Sequence, residues 1–94
     1  MLEPTFDKDG YPTDDTLQTI AKWPDDWSGL VDYVEEAWEY EEYFVRDGRI
    51  IKMSTGGWSG NEDIVLALQN NFHFWITCWV SSTRGGHFVF ELPS

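Results

Sequence analysis

The chain has 94 residues and sets 17 Asp and Glu against 6 Lys and Arg, a formal net charge of −11. A surplus of that size repels nucleic acid and anionic membranes and speeds encounter with basic surfaces, so direct nucleic-acid or membrane binding is excluded as a first reading. The length fits one domain spanning residues 1–94, and 41 % hydrophobic residues, including 6 Trp, 6 Phe and 4 Tyr, supply the apolar area that a disordered chain lacks.

Residues 1–12 hold Pro4, Gly10 and Pro12 with no apolar period and read as an extended N-terminal arm or loop. Thr13 then caps a short helix. Asp14 and Asp15 occupy its first turn, where the helix dipole favours acids; Leu17, Ile20 and Ala21 share a face, and Pro24 stops the helix. A second helix follows from the spacing of Trp27, Leu30, Val31, Val34 and Trp38 at i, i+3, i+4, i+7 and i+11. Its opposite face is acidic. Asp32, Glu35, Glu36 and Glu39, continued by Glu41 and Glu42, meet no basic residue between Lys22 and Arg46.

Beyond residue 42 the period shortens. Asp47-Gly48 lies between two β-prone runs, near 42–46 and 49–54, and signals a hairpin closed by a type I′ turn. Ser59, three residues before Glu62, reads as a capping box opening a helix near 60–71 that carries Ile64, Val65 and Leu68 and ends at Asn70-Asn71. The run FHFWITCWVSS is apolar on both alternations. Its aromatic and β-branched content argues for a central strand, with continued helix as the alternative for so short an apolar run. Thr83-Arg84-Gly85-Gly86 then turns the chain into HFVFEL as a second hairpin. The order ααββαββ predicts an α+β fold: a four-stranded antiparallel sheet built from two hairpins, with two to three helices packed on it.

The charge is one-sided. Thirteen Asp and Glu stand in residues 1–42 against Lys8 and Lys22 alone, while the remaining residues balance to zero. The acidic helix face, Asp32, Glu35, Glu36, Glu39, Glu41 and Glu42, is therefore the first candidate for contact with a positively charged protein. Carboxylates there would stand in for phosphates in an Arg- and Lys-lined channel. An ordinary solvated face mixes signs, whereas this one sets like charges at i and i+4, each pair costing a few tenths of a kcal/mol. Trp58 and Trp23 fall outside the helical and strand stripes and are candidates for the same contact surface.

A second reading rests on the Gly-rich loop. Gly56, Gly57, Ser59, Gly60 and Asn61 precede a helix N-terminus, and Arg84 and His87 would add donors if the second hairpin folds beside them, so a phosphate or nucleotide is the alternative ligand. The same residues also read as a capping box and a turn, and the lysine of a P-loop is absent. Catalytic signals are weaker still. Gly57-Trp58-Ser59-Gly60-Asn61 misses the G-x-S-x-G elbow at its last position. Cys78 among Trp75 and Trp79 reads as a buried, inert thiol. His73 and His87 form no metal spacing with Cys78 and Glu62 and read as hydrogen-bonded structural residues. The expectation is a binding protein, not an enzyme, with no cofactor and no metal.

A lone cysteine excludes an internal disulfide and suits a reducing compartment, no apolar run approaches the roughly 20 residues of a membrane span, and MLEPTFDKDG lacks the parts of a signal peptide. The chain is expected to be cytoplasmic and a monomer or small homo-oligomer.

The run Ser54-Thr55-Gly56-Gly57-Trp58-Ser59-Gly60-Asn61-Glu62, followed by Asn71, Phe74-Trp75, Cys78-Trp79, Ser81 and Arg84-Gly85-Gly86-His87, resembles the pattern of a family of small bacteriophage and prophage proteins. The match covers residues 54–90; the acidic first half is matched loosely, by a Trp-containing helix. The resemblance implies a context, not a functional residue. By class analogy with anti-CRISPR proteins, a compact acidic phage protein is expected to inhibit a host defence system, its partner a basic host protein or ribonucleoprotein complex such as a Cas effector.

Overall fold

In the computed structural model, which describes residues 3–93, Thr13 caps the first helix by accepting a hydrogen bond from the Thr16 N–H, and α1 runs Asp14–Ala21. Asp26 caps α2, Trp27–Ala37, by accepting from the Gly29 N–H at 3.1 Å. The predicted stripe is the core face. Trp27, Leu30, Val31 and Val34 are buried, and Trp38, one residue past the helix, is buried too. A 3₁₀ turn, Glu41–Tyr43, leads into β1, Phe44–Asp47, and β2, Ile50–Ser54. Then come α3, Ser59–Asn70, α4, Phe72–Cys78, β3, Trp79–Thr83, and β4, His87–Glu91.

The result is an α+β fold with one helix more than the sequence suggests. Its four strands are all antiparallel in the order β1-β2-β4-β3, so the second hairpin joins the first through β2 and β4. Ile51, Met53 and Phe90 on the two central strands and Phe44 on β1 bury one sheet face in the cluster formed by Ile20, Leu30, Val34, Ile64, Leu68 and Phe74 of the helices.

Four expectations are corrected. The run FHFWITCWVSS is not one central strand: residues 72–78 are helix α4, and only the remainder is strand, at the sheet edge. Asn71 sets this up. Its side chain accepts from the Phe74 N–H at 3.2 Å and donates to the Ile20 and Trp23 carbonyls, each at 3.0 Å, turning the chain straight from α3 into a new helix against the end of α1. Phe74 and Cys78, four residues apart, then bury on one side, so tertiary packing overrides β-propensity.

The first hairpin has a different turn. Asp47 pairs with Ile50, which makes Gly48-Arg49 the two-residue loop. Positive φ occurs at Gly48, 60°, and not at Arg49, the type II′ pattern with Gly at the first central position rather than type I′.

The capping box is absent. Helix α3 starts at Ser59 itself, so Trp58 is its N-cap, with no side-chain capping bond, and Ser59 sits one position too far in to serve the third helical N–H.

The arm is not extended within residues 3–12. The Asp7 carboxylate accepts from the Asp9 and Tyr11 N–H groups, Phe6 bridges to Pro12, and the Thr5 N–H donates to Thr16 Oγ1 at 2.8 Å, folding the segment back onto α1. Residues 1 and 2 of the expected arm lie outside the described residues.

Candidate protein-binding surface

Every Asp and Glu of the chain is exposed. On α2, burying Leu30, Val31 and Val34 turns Asp32, Glu35 and Glu36 outward on the opposite side, and Glu39, Glu41 and Glu42 extend the same charge through the turn that follows. All six residues expected to form the acidic surface are therefore solvated, and all lie within residues 32–42.

They are not equivalent. Arg46, on edge strand β1, donates from Nη1 to Asp32 Oδ1 at 2.6 Å and to Glu35 Oε1 at 3.1 Å. Those contacts, the Asp32 hydrogen bond first, raise the Arg46 pKa further above its ordinary value despite some desolvation. Asp32 and Glu35 are thus partly neutralised from within the fold. Glu36, Glu39, Glu41 and Glu42 engage in no ion pair among the described residues. The free part of the ridge begins where Arg46 stops reaching.

This part is held in place through Glu39. The buried carboxamide of Asn61 accepts from the Glu39 N–H at 3.0 Å and donates to the Glu39 carbonyl at 3.0 Å. Trp38 adds a second anchor, its Nε1–H donating to the Ser54 carbonyl at 3.2 Å. The ridge consequently stands over the β1 side of the sheet, fixed to β1 by Arg46, to β2 by Trp38 and to α3 by Asn61.

Trp58 and Trp23 do not add a free aromatic surface. Trp58 is half-buried, stacked on Tyr11 at 5.2 Å with an 8° interplanar angle, and it roofs Gly60, where a β-carbon would collide with the indole. Trp23 packs on Tyr33 at 5.1 Å and donates its Nε1–H to the Asp26 carbonyl at 3.0 Å.

The Gly-rich loop does lie beside the second hairpin. The Thr55 N–H donates to the Gly86 carbonyl at 2.9 Å, and Ser54 Oγ is 2.8 Å from His87 Nδ1. Its polar groups nevertheless serve the fold. Asn61 spends its carboxamide on Glu39 and on the Thr55 carbonyl, the Gly57 N–H donates to Thr55 Oγ1 at 3.3 Å, and Gly60 is buried. Gly86, at φ 84°, leaves no room for a β-carbon beside Thr55. The neighbouring 260 Å³ groove, lined by Thr55, Glu62, Val65, Leu66, Gln69, Gly86 and Phe88, carries a carboxylate as its charged group, which opposes an anionic ligand. Ser59 and Arg84 are exposed beside this loop, and Arg84 makes no ion pair among the described residues.

Cys78 is buried, and burial pushes its thiol from an ordinary 9.0 up to about 11. His73 lies on α4 with its ring edge-on to Trp27 at 6.0 Å. Among the described residues no group of three or more His, Cys, Asp or Glu is placed to hold a metal ion, and no helix is long and apolar enough to cross a membrane. Sequence reasoning missed the reach of Arg46 and an exposed apolar patch of Phe72, Ile76, Trp79 and Val80. The spacing of Phe72, Ile76 and Trp79 at i, i+4 and i+7 was the signal for the patch, legible only once the segment is taken as helix. Comparison with protein-family models, curated proteins and solved structures returns no match.

Proposed function

We propose that this chain acts by binding a positively charged protein surface, and that Glu36, Glu39, Glu41 and Glu42 carry the contact. The observation behind this reading is that these four surface carboxylates meet no cation among the described residues, on a segment held at the Glu39 backbone by Asn61. A fixed row of like charges costs the free protein self-repulsion, and that repulsion is relieved when Arg and Lys of a partner approach. Proteins that handle nucleic acids present such basic channels, built for phosphates, and a carboxylate row engages them by the same electrostatics.

With the phage-like sequence pattern over residues 54–90, the partner class best matched is a nucleic-acid-handling complex of bacterial defence, blocked sterically and electrostatically at its basic surface. The test is phage plating efficiency on bacteria carrying defined defence systems, CRISPR-Cas types first, with and without expression of the chain. Restored plating on at least one strain supports the inhibitor reading. Failure across the panel, with the protein expressed and folded, overturns it.

A further inference from the structure

The groove between α3 and β4 holds chemistry that the acidic ridge does not use. Asn61 Nδ2 donates to the Thr55 carbonyl at 3.2 Å, which sets Thr55 beside the first turn of α3. Thr55 and Glu62, a residue of that turn, form one end of the 260 Å³ groove, and Gln69, seven residues and about 10 Å further along the helix, forms the other. Between them the walls are apolar. Val65 is buried and Leu66 is 56 % exposed, and Phe88 of β4 is held edge-on to Trp75 at 6.4 Å.

The Thr55 end offers lone pairs. Glu62 brings a carboxylate that engages in no ion pair among the described residues. Thr55 Oγ1 accepts from the Gly57 N–H at 3.3 Å and keeps a second lone pair. The lining holds no Lys, Arg or His, since Arg84 and His87 both stand outside it. Such a groove matches a flexible alkyl stem that ends in donors alone, which describes the ammonium of lysine and the guanidinium of arginine. The net charge of −11 concentrates cations at the surface and repels anions from it.

We propose that this groove is a binding site for a basic side chain, lysine or arginine, of a protein partner, with the cationic head on Glu62 and Thr55 Oγ1 and the stem on Val65, Leu66 and Phe88. Its place beside the ridge favours that source. The Asn61 carboxamide bonds the Glu39 backbone on one side and the Thr55 carbonyl on the other, so a basic protein seated on the ridge meets the groove at its edge. The origin of the side chain rests on the function proposed above, whereas the cation preference of the groove stands without it.

Titration of the ¹⁵N-labelled chain at fixed ionic strength with n-butylammonium and n-propylguanidinium, the two side chains cut at the β-carbon, tests this by amide shifts. Saturable shifts at Glu62, Leu66, Gln69 and Phe88 are expected in the low millimolar range, with butan-1-ol at least about fivefold weaker and butyrate silent. A tripeptide with lysine at its centre is expected to shift the same amides, and its norleucine counterpart is not. Glu62→Gln is expected to weaken binding at least about fivefold, while Asp63→Asn, on the same turn but outside the groove, leaves it unchanged. Glu36→Gln, Glu39→Gln, Glu41→Gln and Glu42→Gln combined also leave it unchanged, which separates this result from the fate of the ridge. The absence of saturable shifts at the groove overturns the proposal, as does equal weakening by Asp63→Asn and Glu62→Gln. Binding of the free cations without the lysine tripeptide would assign the groove to a small amine and overturn the protein side chain.

Discussion

Asn61 holds Glu39 by both of its backbone groups, Oδ1 accepting from the N–H and Nδ2 donating to the carbonyl, each at 3.0 Å. A side chain two residues into α3 thereby fixes Glu39, within the free acidic ridge and 22 positions earlier in the chain. Nδ2 also donates to the Thr55 carbonyl at 3.2 Å, so one buried amide fastens ridge, loop and helix together.

Asn61→Ala is expected to cost about 3 kcal/mol, because it leaves one donor and two acceptors unsatisfied at a buried site. Asn61→Asp is expected to cost more, since it sets a carboxylate against two carbonyl oxygens. Urea unfolding of the two variants checks both the size and the order of the losses.

Gly86 and Gly57 both have positive φ, 84° and 76°, but only at Gly86 does a β-carbon strike a neighbour, Thr55. Gly57→Ala is expected to cost about 1 kcal/mol from the backbone alone, and Gly86→Ala at least about 1 kcal/mol more. Thermal unfolding that ranks them equal would remove the packing role given to the Thr55–Gly86 contact.

Arg46 links β1 to Asp32 and Glu35 through exposed pairs. Arg46→Gln is expected to change stability by less than about 1 kcal/mol, since surface pairs contribute little. The same substitution releases two carboxylates and is expected to raise affinity for a basic partner severalfold, read by titration at low salt.

Cys78 has its thiol raised to about 11 by burial. A folded value above the unfolded one gives stability that is fully present below the ordinary 9.0 and is lost as pH rises toward 11. The expected loss by pH 11 is about 2 kcal/mol, absent in Cys78→Ala once its own packing cost is subtracted. A thiol reagent at pH 8 is expected to label the native chain slowly and the unfolded chain at once.

Much of the fold was legible because its signals are local. The stripe from Trp27 to Trp38, the Thr13 cap and the Gly-bearing turns each declare themselves within a dozen residues. What escaped depends on distant partners. Residues 72–78 are helical because Asn71 binds Ile20 and Trp23, a contact across about 50 positions that no window can see. The acidic surface was legible as composition, but its division into a neutralised part and a free part was not, since Arg46 meets Asp32 and Glu35 only after β1 folds beneath α2. Likewise Asn61 and the glycines around it looked like a ligand loop because their true partners, Glu39, Trp58 and Thr55, are assembled by the tertiary fold.

The most direct measurement of the central claim is the salt dependence of affinity for a basic, nucleic-acid-binding protein, with a Cas effector as the probe. Wild type would be compared with Glu36→Gln, Glu39→Gln, Glu41→Gln and Glu42→Gln combined, a set that leaves the Arg46 pairs intact. The account predicts a wild-type affinity that falls steeply with salt, and a variant that folds normally but binds at least tenfold more weakly at low salt, with a shallower slope. Equal affinity and equal slope for the two proteins would contradict it.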